Sequence, residues 1–140
     1  MLTDIISKNG NLLLNIGPGP DGEWDSLAYN RLEAIGKWMK INGEAVYETE
    51  ADPNLPRQGK WAFTKKGTSI YAIYQVAENE LVENTLSVTL PKGIIIKGVS
   101  VIGGPQKVKF TNTGGNIVLF TADKSIVKQT EALVFKIVTE

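Results

Sequence analysis

The chain of 140 residues has no cysteine and no histidine. Lack of cysteine excludes disulfide staples and thiolate metal sites, and assigns no compartment, because many exported bacterial domains also lack it. Lack of histidine removes the usual general base, the usual zinc ligand and every nucleophile system that uses imidazole to activate serine or cysteine. Net charge is absent too. Lysine plus arginine and aspartate plus glutamate number 15 each, so no global field draws the protein to nucleic acid or to an anionic membrane. No apolar run approaches the roughly 20 residues of a membrane span, and the start lacks the basic-then-apolar layout of a signal peptide. The hydrophobic fraction of 42% and charged fraction of 21% suit a globular domain that builds its own core.

The densest information lies in Ser7-Lys8-Asn9-Gly10-Asn11-Leu12-Leu13-Leu14-Asn15-Ile16-Gly17-Pro18, followed by Pro20-Asp21-Gly22. Leu2, Ile5 and Ile6 have the spacing of the last turns of a helix, which Asn9-Gly10 ends. Leu12 to Ile16 reads as a short buried strand, and the alternating glycines and prolines after it as a rigid loop. A helix is expected over 27–41, with Asp25 or Ser26 as N-cap and Asn42-Gly43 as the stop. Its apolar stripe is Ala28, Leu32, Ile35 and Met39, widened by Trp38, with Asn30, Glu33, Lys37 and Lys40 on the other side. Strand, loop and helix in that order belong to a parallel sheet or a (β/α) barrel.

From residue 48 the pattern changes. The segment 48–60 carries Pro53 and Pro56 among several acids and reads as an irregular linker. Strands are expected at 61–65, 69–76, 85–90, 98–102, 106–111, 116–121 and 132–138. Ile70, Ala72, Tyr74 and Val76 share one face, as do Leu86, Val88 and Leu90, and Leu133, Phe135 and Ile137. Lys66-Gly67 and Thr113-Gly114-Gly115-Asn116 are expected hairpin turns, and Gly103-Gly104-Pro105 a turn or bulge. Lys107, Lys109 and Thr111 alternate with Val108 and Phe110 as a solvated strand face, and Lys136 reads as a charge discouraging edge-to-edge pairing. The expected architecture is mainly β: an antiparallel sandwich over 61–140, of Ig-like type, preceded by a strand-loop-helix unit over 1–47.

Gly17-Pro18-Gly19-Pro20-Asp21-Gly22 formally fits the G-x-G-x-x-G dinucleotide fingerprint. The chemistry rejects it. A phosphate cradle works through backbone N–H groups, which Pro18 and Pro20 lack, and Asp21, Glu23 and Asp25 would repel a pyrophosphate. Those three carboxylates also resemble an acid/base pair for sugar chemistry, yet a solvated loop and a helix N-terminus account for them as turn and capping residues.

The string at 7–18, the Pro20-Asp21-Gly22 after it and Asn42-Gly43-Glu44-Ala45-Val46-Tyr47 resemble the α-L-fucosidases of glycoside hydrolase family 29. Beyond residue 49 the resemblance rests mainly on the order of elements around Trp61, Phe63, Lys66-Gly67, Ile70 to Ile73 and Leu86 to Pro91. It implies the end of a catalytic barrel followed by a C-terminal β-sandwich, and a parent protein that removes terminal α-L-fucose with retention. A barrel of about 250 residues cannot fit in this chain, and the family's nucleophile, acid/base and fucose-binding histidines precede the matching region. No catalytic residue, metal or cofactor is therefore expected here.

Asn15 and Trp24 are the candidates for the rim of the substrate cleft, since that loop lies at the catalytic face of such a barrel. Trp61 and Tyr74 are candidates for a sugar-binding platform, weighed against core packing of Trp61, Phe63, Tyr71 and Tyr74. Expected partners are the catalytic barrel, a fucosylated glycan in the full-length enzyme, or a second chain covering the stripe of the 27–41 helix unless that helix folds onto the sandwich. A bacterial source and a periplasmic or extracellular location suit the full-length protein. The alternative reading is a stand-alone carbohydrate-binding or interaction sandwich.

Overall fold

In a computed structural model, residues 1–77, 80–104, 108–113, 117–121 and 131–140 are described. Two short helical pieces open the chain: α1 (Leu2–Ile6) and α2 (Ser26–Asn42), the latter running into a 3₁₀ turn at Gly43–Ala45. Strands β1 (Trp61–Lys66), β2 (Ser69–Gln75), β3 (Thr85–Thr89), β4 (Ile96–Val101), β5 (Phe110–Thr113), β6 (Ile117–Thr121) and β7 (Ala132–Thr139) follow. They pair antiparallel in a four-stranded sheet, β1-β2-β7-β4, and a three-stranded sheet, β3-β6-β5.

Alternation along the strands produces a core between the two sheets. Phe63, Ile70, Ala72, Leu133, Phe135 and Ile137 from the larger sheet share one cluster with Leu86, Val88, Val118 and Phe120 from the smaller. The register explains the one small residue in that row. Ala72 pairs with Phe63 on one side and Phe135 on the other, and only a methyl group fits between two rings on the same face. Phe120 and Phe135 join the sheets with centroids 4.6 Å apart.

The opposite face of the larger sheet is buried as well. Ala62, Tyr71, Ile73, Ala132 and Val134 form a second cluster with Ala45, against which Ile6 of α1 and Trp38 of α2 pack. A sandwich sheet usually shows solvent an alternating polar face, so the apolar residues at these outward positions are explained by the helical pieces lying over them.

The β1–β2 hairpin turns through Gly67 and Thr68, with Gly67 at φ 56°, a left-handed conformation that a Cβ disfavours. α1 ends as Asn9-Gly10 foretells. The Gly10 N–H donates to the Ile5 carbonyl at 2.9 Å, and a Cβ on Gly10 would lie 2.8 Å from the Ile5 side chain. Asp25 is the N-cap of α2, accepting from the Ala28 N–H at 2.7 Å.

Two expectations are corrected. Residues 11–19 form no strand: the segment has no regular structure, and Leu13 is 91% exposed. A central parallel strand needs hydrogen-bonding neighbours on both edges and cover on both faces, and among the described residues no strand pairs with it. Lys136 does not guard an edge. β7 lies between β2 and β4, and the Lys136 ammonium crosses to Glu44 Oε2 at 2.8 Å. Lys109 and Thr111 are exposed and Val108 is buried, whereas Lys107, Pro105 and the turn residues Gly114 to Asn116 fall outside the described residues.

Segment 48–60 runs along the β1 edge. Glu50 bridges to Lys65, and the Gln58 amide both donates to the Thr89 carbonyl at 2.7 Å and accepts from its N–H at 3.0 Å. This one side chain imitates a strand partner and ties the edge of β3 to the other sheet.

Candidate functional site

The loop after residue 16 organises itself through its own polar groups. Asp21 Oδ1 accepts from the Glu23 N–H at 3.1 Å, the Gly19 N–H donates to the Glu23 carbonyl at 2.7 Å, and Glu23 accepts from the Tyr29 hydroxyl at 3.2 Å. With Asp25 capping α2, all three carboxylates of this loop hold local structure. None is paired across a cleft as glycosidic acid/base chemistry requires. Among the described residues no group of three acidic, histidine or cysteine side chains could hold a metal ion, and no helix is long and apolar enough to cross a membrane.

Asn15 is exposed within the irregular segment. Trp24 is 40% exposed, and its ring tilts over Tyr29 with centroids 5.6 Å apart. Other apolar side chains of the same arm, Leu13, Leu14, Leu27, Ile35 and Ile41, are also exposed. Leu12, Leu14, Ile35 and Trp38 line a depression of about 380 Å³ that also reaches Gln75 at the end of β2 and Val76 just after it. The stripe expected on α2 is thus only partly covered. Trp38 reaches the sheet and donates its indole N–H to the Ala132 carbonyl at 3.1 Å, while Ile35 stays 40% exposed.

Trp61 and Tyr74 are brought together, with centroids 5.0 Å apart in an edge-to-face arrangement. Trp61 is 6% exposed and also contacts Phe120 and Phe135, so it shows solvent no open ring face. Tyr74 is half-buried, and its hydroxyl donates to Glu80 Oε1 at 2.9 Å. Burial raises the Tyr74 pKa, assisted by the Glu80 carboxylate.

Glu80 is held strongly in its charged form. Lys60 at 2.6 Å, the Ala77 N–H at 2.7 Å and the Tyr74 hydroxyl all favour its charged form and lower its pKa from 4.5 to about 2. A folded-state pKa below the unfolded one gives stability that is present above about 4.5 and lost as pH falls toward 2. Melting temperature followed over that window is therefore expected to fall less steeply for Glu80→Gln than for the parent chain. Equal slopes would mean that this carboxylate carries no proton linkage.

Sequence reasoning missed the polar contacts that seat the N-terminal arm on the sandwich. At one end Glu44 accepts from Lys136 and, at 3.4 Å, from the Tyr71 hydroxyl, while the buried Thr64 hydroxyl donates to the Ala45 carbonyl at 2.8 Å. Thr64, Tyr71 and Lys136 are cross-strand partners on β1, β2 and β7. One row of the sheet thus receives the 3₁₀ turn. Burial raises the Tyr71 pKa, with Glu44 adding to the effect, and the hydrogen bond to Glu44 raises that of Lys136.

A two-sheet antiparallel sandwich bearing a helical arm is the class these features define. A family profile described as Alpha-L-fucosidase matches residues 1–44. The α-L-fucosidase of Branchiostoma floridae is 32% identical over 119 residues, covering 83% of this chain, and human plasma α-L-fucosidase is 50% identical over 77 residues, covering 52%. The chain spans 26% and 16% of those proteins respectively. Among solved structures, a family 29 α-L-fucosidase of Bacteroides thetaiotaomicron, trapped as a covalent intermediate, superposes with a TM-score of 0.81 at 24% identity over 99% of this chain and 30% of its own. The Thermotoga maritima α-fucosidase does so with a TM-score of 0.74 at 27% identity over 97% of this chain and 32% of its own. The chain belongs to the family 29 α-L-fucosidases and corresponds to the C-terminal part of its members. These relatives are animal and bacterial, so the similarity assigns no bacterial source.

Proposed function

We propose that this chain is the non-catalytic C-terminal portion of an α-L-fucosidase-like glycoside hydrolase. The whole protein releases terminal α-L-fucose from glycoconjugates by a retaining double displacement, with nucleophile and acid/base supplied by residues outside this chain. Residues 1–47 are the end of the catalytic barrel, 48–60 the connection and 61–140 the sandwich that buttresses it. Asn15 and Trp24 stand at the rim of the substrate cleft.

The observation that carries this reading is the engagement of the three carboxylates of the 21–25 loop by a turn N–H, the Tyr29 hydroxyl and the α2 cap, in the stretch that matches the fucosidase profile. The uncovered residues Leu13, Leu14, Leu27 and Ile35 suit burial against the rest of such a barrel. Incubation of the purified chain with an aryl α-L-fucoside is the test. No release of the aryl alcohol above the spontaneous rate is expected from the chain alone, and turnover lost on substitution of Asp21 or Glu23 would overturn the assignment.

A further inference from the structure

α1 has five residues, too few to persist in water without tertiary support. Its support is visible. Ile6 packs on the outer face of the larger sheet, and a polar network centred on Arg57 joins α1 to the end of β2. One arm of the Arg57 guanidinium is bonded to Asp4 Oδ1 on α1. Its other terminal nitrogen donates to Gln75 Oε1 at 2.9 Å, and Nε donates to the Gly59 carbonyl at 3.0 Å. Gln75 in turn donates its amide N–H to the buried Thr3 hydroxyl of α1 at 2.8 Å. Two residues of α1 are therefore gripped from one guanidinium, directly and through Gln75. Lys8 adds an ion pair to Asp4 at 3.3 Å, a local contact four residues along the chain that ties α1 to nothing on the sheet.

We infer that Arg57 is a positioning residue that clamps α1 to the end of β2 and so fixes the point from which residues 11–25 leave the sandwich. The planar fork suits this task. It holds a carboxylate, an amide oxygen and a backbone carbonyl at fixed angles, which a point-charge ammonium cannot do. The geometry holds the arm at α1 with Arg57, at Trp38 on the Ala132 carbonyl, and at the 3₁₀ turn with Thr64, Tyr71 and Lys136. Between α1 and Trp38, Leu13, Leu14, Trp24 and Leu27 are exposed, so the course of residues 11–25 is set by the anchors on either side. The clamp is a property of this chain and does not depend on the fucosidase reading.

Amide hydrogen exchange on the intact chain tests it. The Ser7 and Gly10 amides report α1, since they donate to the Thr3 and Ile5 carbonyls at 3.2 and 2.9 Å, and the Ile73 and Val134 amides report the sheet. Arg57→Ala is expected to speed exchange at Ser7 and Gly10 by about tenfold or more and leave Ile73 and Val134 unchanged, as in a local opening. Arg57→Lys, which keeps the charge without the fork, should recover part of that protection. Should the alanine variant fail to fold, Asp4→Asn in the folded chain is expected to produce the same selective acceleration. Unchanged exchange at Ser7 and Gly10, or equal acceleration at all four amides, would overturn the proposal.

Discussion

Replacing Phe135 with alanine is expected to lower the unfolding free energy by about 3–5 kcal/mol, the usual cost of truncating a fully buried aromatic. The side chain is 0% exposed, lies 4.6 Å from Phe120 across the sheets and 5.7 Å from Trp61 beside it, and pairs with Ala72 on β2. Neighbouring residues cannot collapse into the space. Phe120 belongs to the other sheet, and a rotation of Trp61 would break its edge-to-face contact with Tyr74 at 5.0 Å. Urea unfolding should show an earlier midpoint with an unchanged slope, because the loss removes packing without altering the surface exposed on unfolding. A cost below about 1 kcal/mol would mean that the sheets do not meet at these rings.

Ile73→Asp probes the other face of the same sheet. In a sandwich with a solvated outer face, an aspartate there would be tolerated. Here Ile73 is 0% exposed, clustered with Ala62, Val134 and Ala45 beneath Ile6 and Trp38, and an unpaired carboxylate there is expected to cost about 3–5 kcal/mol. The helical arm should come off first, because parting it from the sheet brings water to the new charge. Trp38 fluorescence would then shift to the red at lower urea concentration than the main transition. Little change in stability would show that α1 and α2 do not cover this face in solution.

Much of this fold is written in local pattern. The alternation of Ile70, Ala72 and Tyr74, and of Leu133, Phe135 and Ile137, placed those strands and their inner faces correctly, and β1, β2 and β7 each lie within about two residues of the expected bounds. Asp25 and Asn42-Gly43 likewise marked the ends of α2. Pattern failed where the answer depends on distant partners. Leu12 to Ile16 has the composition of a buried strand, yet strand formation requires pairing that no other described segment offers. Tyr71, Ile73 and Val134 sit at positions that alternation leaves for solvent, and only the arm folded over them explains their burial.

The candidate site was legible in a similar measure. Similarity to the fucosidases over residues 1–44 was visible in the loop string and its glycines and prolines. Capping and turn chemistry, readable from residue type and position, account for Asp21 and Asp25, whose hydrogen bonds to the Glu23 and Ala28 N–H groups agree. The aromatic pair Trp61 and Tyr74 shares a contact that parity leaves open, since paired strands bring their odd and even positions opposite each other, as Trp61 and Tyr74 are. The pairings of Arg57 with Asp4 and of Glu44 with Lys136 left no trace in any window of sequence. Asp4 and Arg57 are 53 residues apart, and Glu44 and Lys136 are 92 apart, and such pairs arise only once the sheet has ordered the strands between them.

The central claim is that this chain works as the supporting end of a larger fucosidase. Its most direct test is the mass of the endogenous protein recognised in source cells by an antibody raised against the sandwich. A species larger than the 15.3 kDa of this chain by about 250 residues or more, the size of a barrel, is the predicted result. A single species of 15.3 kDa, with no larger form, would contradict it.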